Sequence, residues 1–151
     1  MVETEKQDNG SPAENLTPEN QRAIRLLLVD DEEAYVDVLF NRLRKRGLEV
    51  TKSYSGTEAL KKMRLSEFDV AVLDLKMADM DGIEVLKIFK SMDPGMEVIM
   101  LTGHGSATAC KQGMDLGAFD YLMKPCQLDD LVKKIQEAFL KKQIAAKPDQ
   151  G

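Results

Sequence analysis

Between Ile24 and Leu140 the hydrophobic period of the chain switches repeatedly from strand-like to helix-like, and this alternation narrows the possible folds more than any motif. IRLLLV (24–29) is a continuous apolar run, as in a strand covered on both faces. Val36, Leu39, Phe40 and Leu43 then recur at helical spacing until Gly47 stops them. LEVTKSY (48–54) alternates like a strand, and Gly56 opens a helix carrying Ala59, Leu60 and Met63. FDVAVLDL (68–75) and IEVLKIFK (83–90) make the third pair. MEVIMLT (96–102), announced by the turn Asp93-Pro94-Gly95, precedes a glycine-interrupted helix over 107–117. AFDYLMK (118–124) and a stripe of Leu128, Leu131, Val132, Ile135 and Phe139 make the last pair. Repeated strand–helix units imply a parallel sheet with helices on both faces, because each crossover must be right-handed. The expected fold is therefore α/β, a five-stranded doubly wound sheet of order 2-1-3-4-5 in three layers. Its ligand crevice lies at the carboxyl edge, where strands 1 and 3 part.

The 151 residues suffice for one such domain and leave no room for a second. Residues 1–22, rich in Glu, Gln, Asn, Pro and Ser, have little to bury and read as a flexible tail. The domain is expected over 23–142, with a short tail over 143–151. A formal charge of -5 does not attract nucleic acid or anionic membranes, so neither direct nucleic-acid contact nor membrane insertion is expected. Two cysteines outside any CxxC pair fit a reducing compartment, and the polar N-terminus lacks the apolar centre of a signal peptide. A cytoplasmic protein is the expectation.

In a parallel sheet all strand carboxyl ends share one edge, so the residues there converge whatever their separation in sequence. Strand 1 ends in Asp30-Asp31-Glu32, strand 3 in Asp74, strand 4 in Thr102 and strand 5 in Lys124-Pro125. Each has a bland reading. Asp31 suits a helix cap, Asp74 a satisfied strand-end acid, Thr102 an ordinary strand residue, and Lys124 a solvated side chain. Their joint placement suggests chemistry. Crowded carboxylates demand a cation or hold protons, and an oxygen-only ligand set selects a hard ion such as Mg²⁺. A carboxylate beside Mg²⁺ can attack a phosphoryl group, with an ammonium and a hydroxyl stabilising the peripheral oxygens.

LLLVDDEEA, VLDLKMADMDG, VIMLTGHGSA and GAFDYLMKP, in that order and spacing from Ile24 to Leu140, resemble the receiver domains of two-component response regulators. The resemblance implies a flavodoxin-like fold and a phosphoacceptor signalling domain rather than an enzyme. It implies that Asp74 accepts a phosphoryl group from the phosphohistidine of a sensor histidine kinase or phosphotransfer protein. Asp31 would bind Mg²⁺ directly and Asp30 through water, with the backbone carbonyl of Lys76 as a further ligand. Thr102 and Lys124 would contact the phosphoryl oxygens, across a cis Lys124-Pro125 bond. Tyr121 stands at the switch aromatic position. Thr102 and Tyr121 would remodel the face formed by the fourth helix, fifth strand and fifth helix for an output protein. Departures from the pattern are Ala78, where many relatives have proline, and Cys126, where an aromatic is commoner. His104 and Lys76 lie at positions where dephosphorylation rate is tuned.

The alternatives are weaker. Only IAAKPDQG follows the last helix, which favours a stand-alone switch, while LTGHGSA and GAFDYLMKP look most like receivers that precede transcriptional activators. That keeps open a receiver cut from a longer regulator. A flavodoxin-like FMN binder would place phosphate where Asp30-Asp31-Glu32 repels it. An aspartate-nucleophile phosphatase would need an acid at the position of Lys76. His104 otherwise reads as a solvated helix-start residue, and the KKIQEAFLKK end as favourable charge at a helix C-terminus. Asp79 and Asp81 read as loop and helix-start residues ahead of Gly82. The methionines default to packing, with Met114 and Cys110 as candidates for a partner-facing surface.

Overall fold

The computed structural model describes residues 22–103 and 107–146. The strands are β1 (Arg25–Val29), β2 (Glu49–Ser53), β3 (Val70–Asp74), β4 (Glu97–Thr102) and β5 (Asp120–Met123). The helices, in chain order, are α1 (Glu33–Lys45), α2 (Gly56–Leu65), α3 (Gly82–Met92), α4 (Ala107–Asp115) and α5 (Leu128–Ala146). The sheet is parallel throughout with order β2-β1-β3-β4-β5, as the alternating periods predict.

Period-2 alternation sorts the strand side chains into two cores. Leu27, Val29, Ala71, Leu73, Val98 and Met100 face α2 and α3, meeting Ala59, Leu60, Val85, Leu86 and Phe89. Leu26, Leu28, Val70, Val72, Ile99 and Leu101 face α1 and α5, meeting Val36, Leu43, Leu131, Ile135 and Phe139. The central strands β3 and β4 are buried along their whole length, which is why they read as unbroken apolar runs. β5, an edge strand, alternates between half-buried and exposed.

Local signals set the helix ends. Ser55 caps α2 by accepting from the Glu58 amide, and Asp81 caps α3 by accepting from the Ile83 amide. Gly47 ends the turn after α1 at φ +87, where the Leu48 amide bonds back to the Leu43 carbonyl.

Two boundaries differ from expectation. Arg22, placed in the tail on composition, pairs bidentately with buried Asp69 at 2.8 Å for both contacts. α5 continues to Ala146, beyond the expected domain end at 142, and Lys142 on it reaches the same Asp69 at 2.7 Å. A distant buried acid holds both segments, and local composition carries no sign of it. The remainder of both expected tails lies outside the described residues.

Candidate functional site

At the carboxyl edge β1 and β3 deliver their terminal acids to one point. Oxygens of Asp30, Asp31 and Asp74 all lie within 4.8 Å of one another, with Asp30 fully buried and Asp74 4% exposed. Asp30 accepts from the Glu32 amide through Oδ1 (3.0 Å) and from Lys124 Nζ through Oδ2 (2.9 Å). Asp74 Oδ1 accepts from the Lys76 amide at 3.3 Å and lies 4.0 Å from Lys124 Nζ. Asp31 accepts from the Ala78 amide at 2.8 Å. The helix-cap reading of Asp31 is thus not what forms. Glu32 is the N-cap of α1, its side chain makes no capping bond, and Asp31 instead reaches across to the loop after β3. A proline at 78 would have no N–H for that bond.

The electrostatics follow from crowding. Burial first, and the charge of Asp30 second, push the Asp74 carboxyl up to about 6 against the pull of Lys124. For Lys124, burial alone would favour the neutral amine. Hydrogen bonds from its ammonium to Glu32 (2.6 Å) and Asp30 outweigh burial and hold its pKa above the usual lysine value. The same ammonium sits over the Tyr35 ring, 4.7 Å from the centroid.

Thr102 ends β4, buried at the same edge, and its carbonyl accepts from the Lys124 amide at 2.7 Å. The Lys124-Pro125 peptide is cis, as expected. Lys76 stands two residues after Asp74 and bridges Asp81 through its backbone. Tyr121 is apart from the crevice: it projects from β5, 41% exposed, beside exposed Met123. His104 lies outside the described residues.

Four features escaped the sequence reading. Glu32 and Tyr35 are partners of Lys124, although the DDEEAY run places both within reach of strand 1's end. Asp79 serves α2 rather than α3, accepting from the amides of Gly56 (3.1 Å) and Thr57 (3.0 Å). Its partners precede it by more than 20 residues, so spacing gives no signal. Cys110 is buried rather than partner-facing, because it shares the inward face of α4 with Gly113, while Met114 is exposed.

Residues 26–136 match the family model described as the response regulator receiver domain. The chain belongs to this family and is a receiver domain of two-component response regulators, a signalling domain. It is 36% identical over 115 residues to the transcriptional regulatory protein ZraR of Salmonella typhimurium, covering 76% of this chain and 26% of that protein. To ZraR of Klebsiella oxytoca it is 34% identical over 125 residues, 83% of this chain and 28% of the relative. The chain thus spans about a quarter of the length of these relatives. Among solved structures, the CheY-like receiver domain protein of Methanospirillum hungatei JF-1 superposes with a TM-score of 0.79 at 34% identity, covering 82% of this chain and 99% of that one. Receiver domains of this family partner with histidine kinases and output domains. Among the described residues no helix is long and apolar enough to cross a membrane.

Proposed function

We propose that Asp74 is the phosphoacceptor of this receiver, taking a phosphoryl group from a kinase phosphohistidine. An Asp74 oxygen attacks phosphorus, the phosphorus–nitrogen bond breaks, and its electron pair leaves on the imidazole, which takes a proton from solvent. The observation that carries this reading is the placement of Asp74, buried at the strand end between two further carboxylates and 4.0 Å from the Lys124 ammonium. With a pKa of about 6 its carboxylate is mostly ionised near neutrality and therefore nucleophilic.

Three hard-oxygen donors with no His or Cys among them fit Mg²⁺, which Asp31, Asp74, Asp30 and the backbone carbonyl of Lys76 would hold. When bound, Mg²⁺ neutralises charge on the peripheral phosphoryl oxygens. Lys124 pairs with those oxygens, and the Thr102 hydroxyl donates to them. The surface that changes is formed by α4, β5 and α5, where Met114, Tyr121 and Met123 are exposed for an output protein. The receiver unit runs from Arg22 to Ala146, a little beyond the expected 23–142 at each end, and acts in the cytoplasm.

The test is intact-mass measurement after incubation with a small phosphodonor and Mg²⁺. Wild type gains one phosphoryl group, and Asp74→Asn and Asp31→Ala do not. Equal labelling of Asp74→Asn refutes the assignment. Thr102→Ala is expected to accept phosphate and yet lose any phosphorylation-dependent change in partner affinity. A second reading, that this receiver is one part of a longer transcriptional regulator, is favoured by the quarter-length match to ZraR.

A further inference from the structure

We propose that Tyr35 is a positioning residue for Lys124: its ring face holds the ammonium at the mouth of the crevice, aimed at the phosphoacceptor. The inference rests on the reading of Asp74 above and assigns a role to a residue of α1 outside the acid cluster.

Among the described residues, four neighbours of two kinds surround the Lys124 ammonium. Asp30 (2.9 Å), Glu32 (2.6 Å) and Asp74 (4.0 Å) hold it by charge, and the Tyr35 ring, 4.7 Å from Nζ, holds it by its π face. The charged partners are not dependable during the reaction. Asp30 and Asp74 share their charge with a cation and with the incoming group, and Glu32 is 64% exposed, so it draws the ammonium outward towards solvent. The ring has no net charge to neutralise. Because the Lys124 side chain is only 14% exposed, the interaction is also shielded from water, where a cation over an aromatic face is worth most.

The ring is itself fixed. Tyr35 packs against the core shared by α1 and α5, and Cys126, two residues after Lys124, packs against the same core. The segment that carries the ammonium and the helix that carries the ring therefore rest on one apolar base.

The test compares wild type, Tyr35→Phe and Tyr35→Leu by two readouts. In NMR spectra the Lys124 ε-methylene protons of wild type and Tyr35→Phe are expected upfield, displaced by the ring current, and unshifted in Tyr35→Leu. The rate of Asp74 phosphorylation by a small phosphodonor at saturating Mg²⁺ is expected to fall about fivefold in Tyr35→Leu, equivalent to about 1 kcal/mol, and to stay within about twofold of wild type in Tyr35→Phe. Rescue by phenylalanine separates the ring from the hydroxyl. Mg²⁺ affinity is expected to be equal in all three. Equal rates in all three, with Asp74 phosphorylated normally, overturn this inference alone, as do equally slow Phe and Leu variants. The wild-type shift needs no variant, so an unshifted Lys124 in wild type overturns the contact even where Tyr35→Leu does not fold. A wild type that takes no phosphoryl group on Asp74 overturns the parent reading and this one with it.

Discussion

Replacing Asp74 by asparagine is expected to stabilise the metal-free protein, and the amount can be worked from the site. The carboxyl titrates at about 6 in the fold against an ordinary 3.8. At roughly 1.4 kcal/mol per tenfold change in proton affinity, ionising it costs about 3 kcal/mol more in the fold than in the unfolded chain. Water penetration and local relaxation reduce this, so about 2 kcal/mol is the expected gain at pH 8. The amide keeps the shape of the site, since its oxygen still accepts from the Lys76 N–H. The sign has a pH signature. A raised carboxyl pKa means that wild-type stability is fully present below the unfolded value and is lost as pH rises through the folded one. The two proteins should therefore agree near pH 3, diverge between pH ~4 and ~6, and run parallel above that. Urea denaturation in chelator across this range measures it. Mg²⁺ should then narrow or reverse the order, because wild type gains about 2.7 kcal/mol at a hundredfold excess over its dissociation constant and the variant gains less. A difference independent of pH, or a variant less stable than wild type at pH 8 without metal, would refute the electrostatic account of the site.

The remaining predictions concern the frame around the crevice. Asp69→Asn leaves Arg22, Arg25 and Lys142 around a neutral group and should destabilise by about 3 kcal/mol at pH 7. Its carboxyl is held below the usual range, so this contribution is present above pH ~4 and fades on acidification, and acid titration followed by circular dichroism should show a shallower slope for the variant. Two glycine substitutions should separate in thermal denaturation. A Cβ at Gly82 would stand 2.4 Å from the Leu75 Cα, a backbone atom that cannot yield, whereas at Gly113 it meets the side-chain sulfur of Met100, which can. Gly82→Ala should cost about 3 kcal/mol or more and Gly113→Ala about 1.

The architecture was legible because periodicity reports burial directly. β3 and β4 are apolar at every position since both faces are covered, and α1 and α5 show stripes since one face is. The gathering of Asp30, Asp31, Asp74 and Lys124 was legible for a topological reason: a parallel sheet sends all its carboxyl ends to one edge. What stayed hidden was pairing between elements. Nothing near Asp79 in sequence announces that the start of α2 lies over it, and nothing in Arg22 reveals a buried partner 47 residues on. Tyr35 is similar. It lies outside the apolar stripe of its helix, and only the geometry puts its ring under Lys124.

The two acids that bracket β3 differ in how far the fold satisfies their charge. Asp69, immediately before the strand, and Asp74, at its end, are the same residue type on the same buried segment. Burial alone would raise both. At Asp69 hydrogen bonds from Arg22, Arg25 and Lys142 and from the Arg25 amide outweigh burial and hold the carboxylate ionised well below the usual range. Every oxygen is committed, so the group joins the strand start, the segment before β1 and the end of α5, and has nothing left for chemistry. At Asp74 the balance is reversed. The nearest ammonium stands at 4.0 Å and is already bonded to Asp30 and Glu32, the backbone supplies a single 3.3 Å contact, and two further acids crowd the same point. The fold thus leaves one end of β3 over-paired and the other short of positive charge. A carboxylate in that second condition gains free energy from whatever cation or electrophile arrives, and this incompleteness is the physical ground for proposing Asp74, and not Asp69, as the phosphoacceptor.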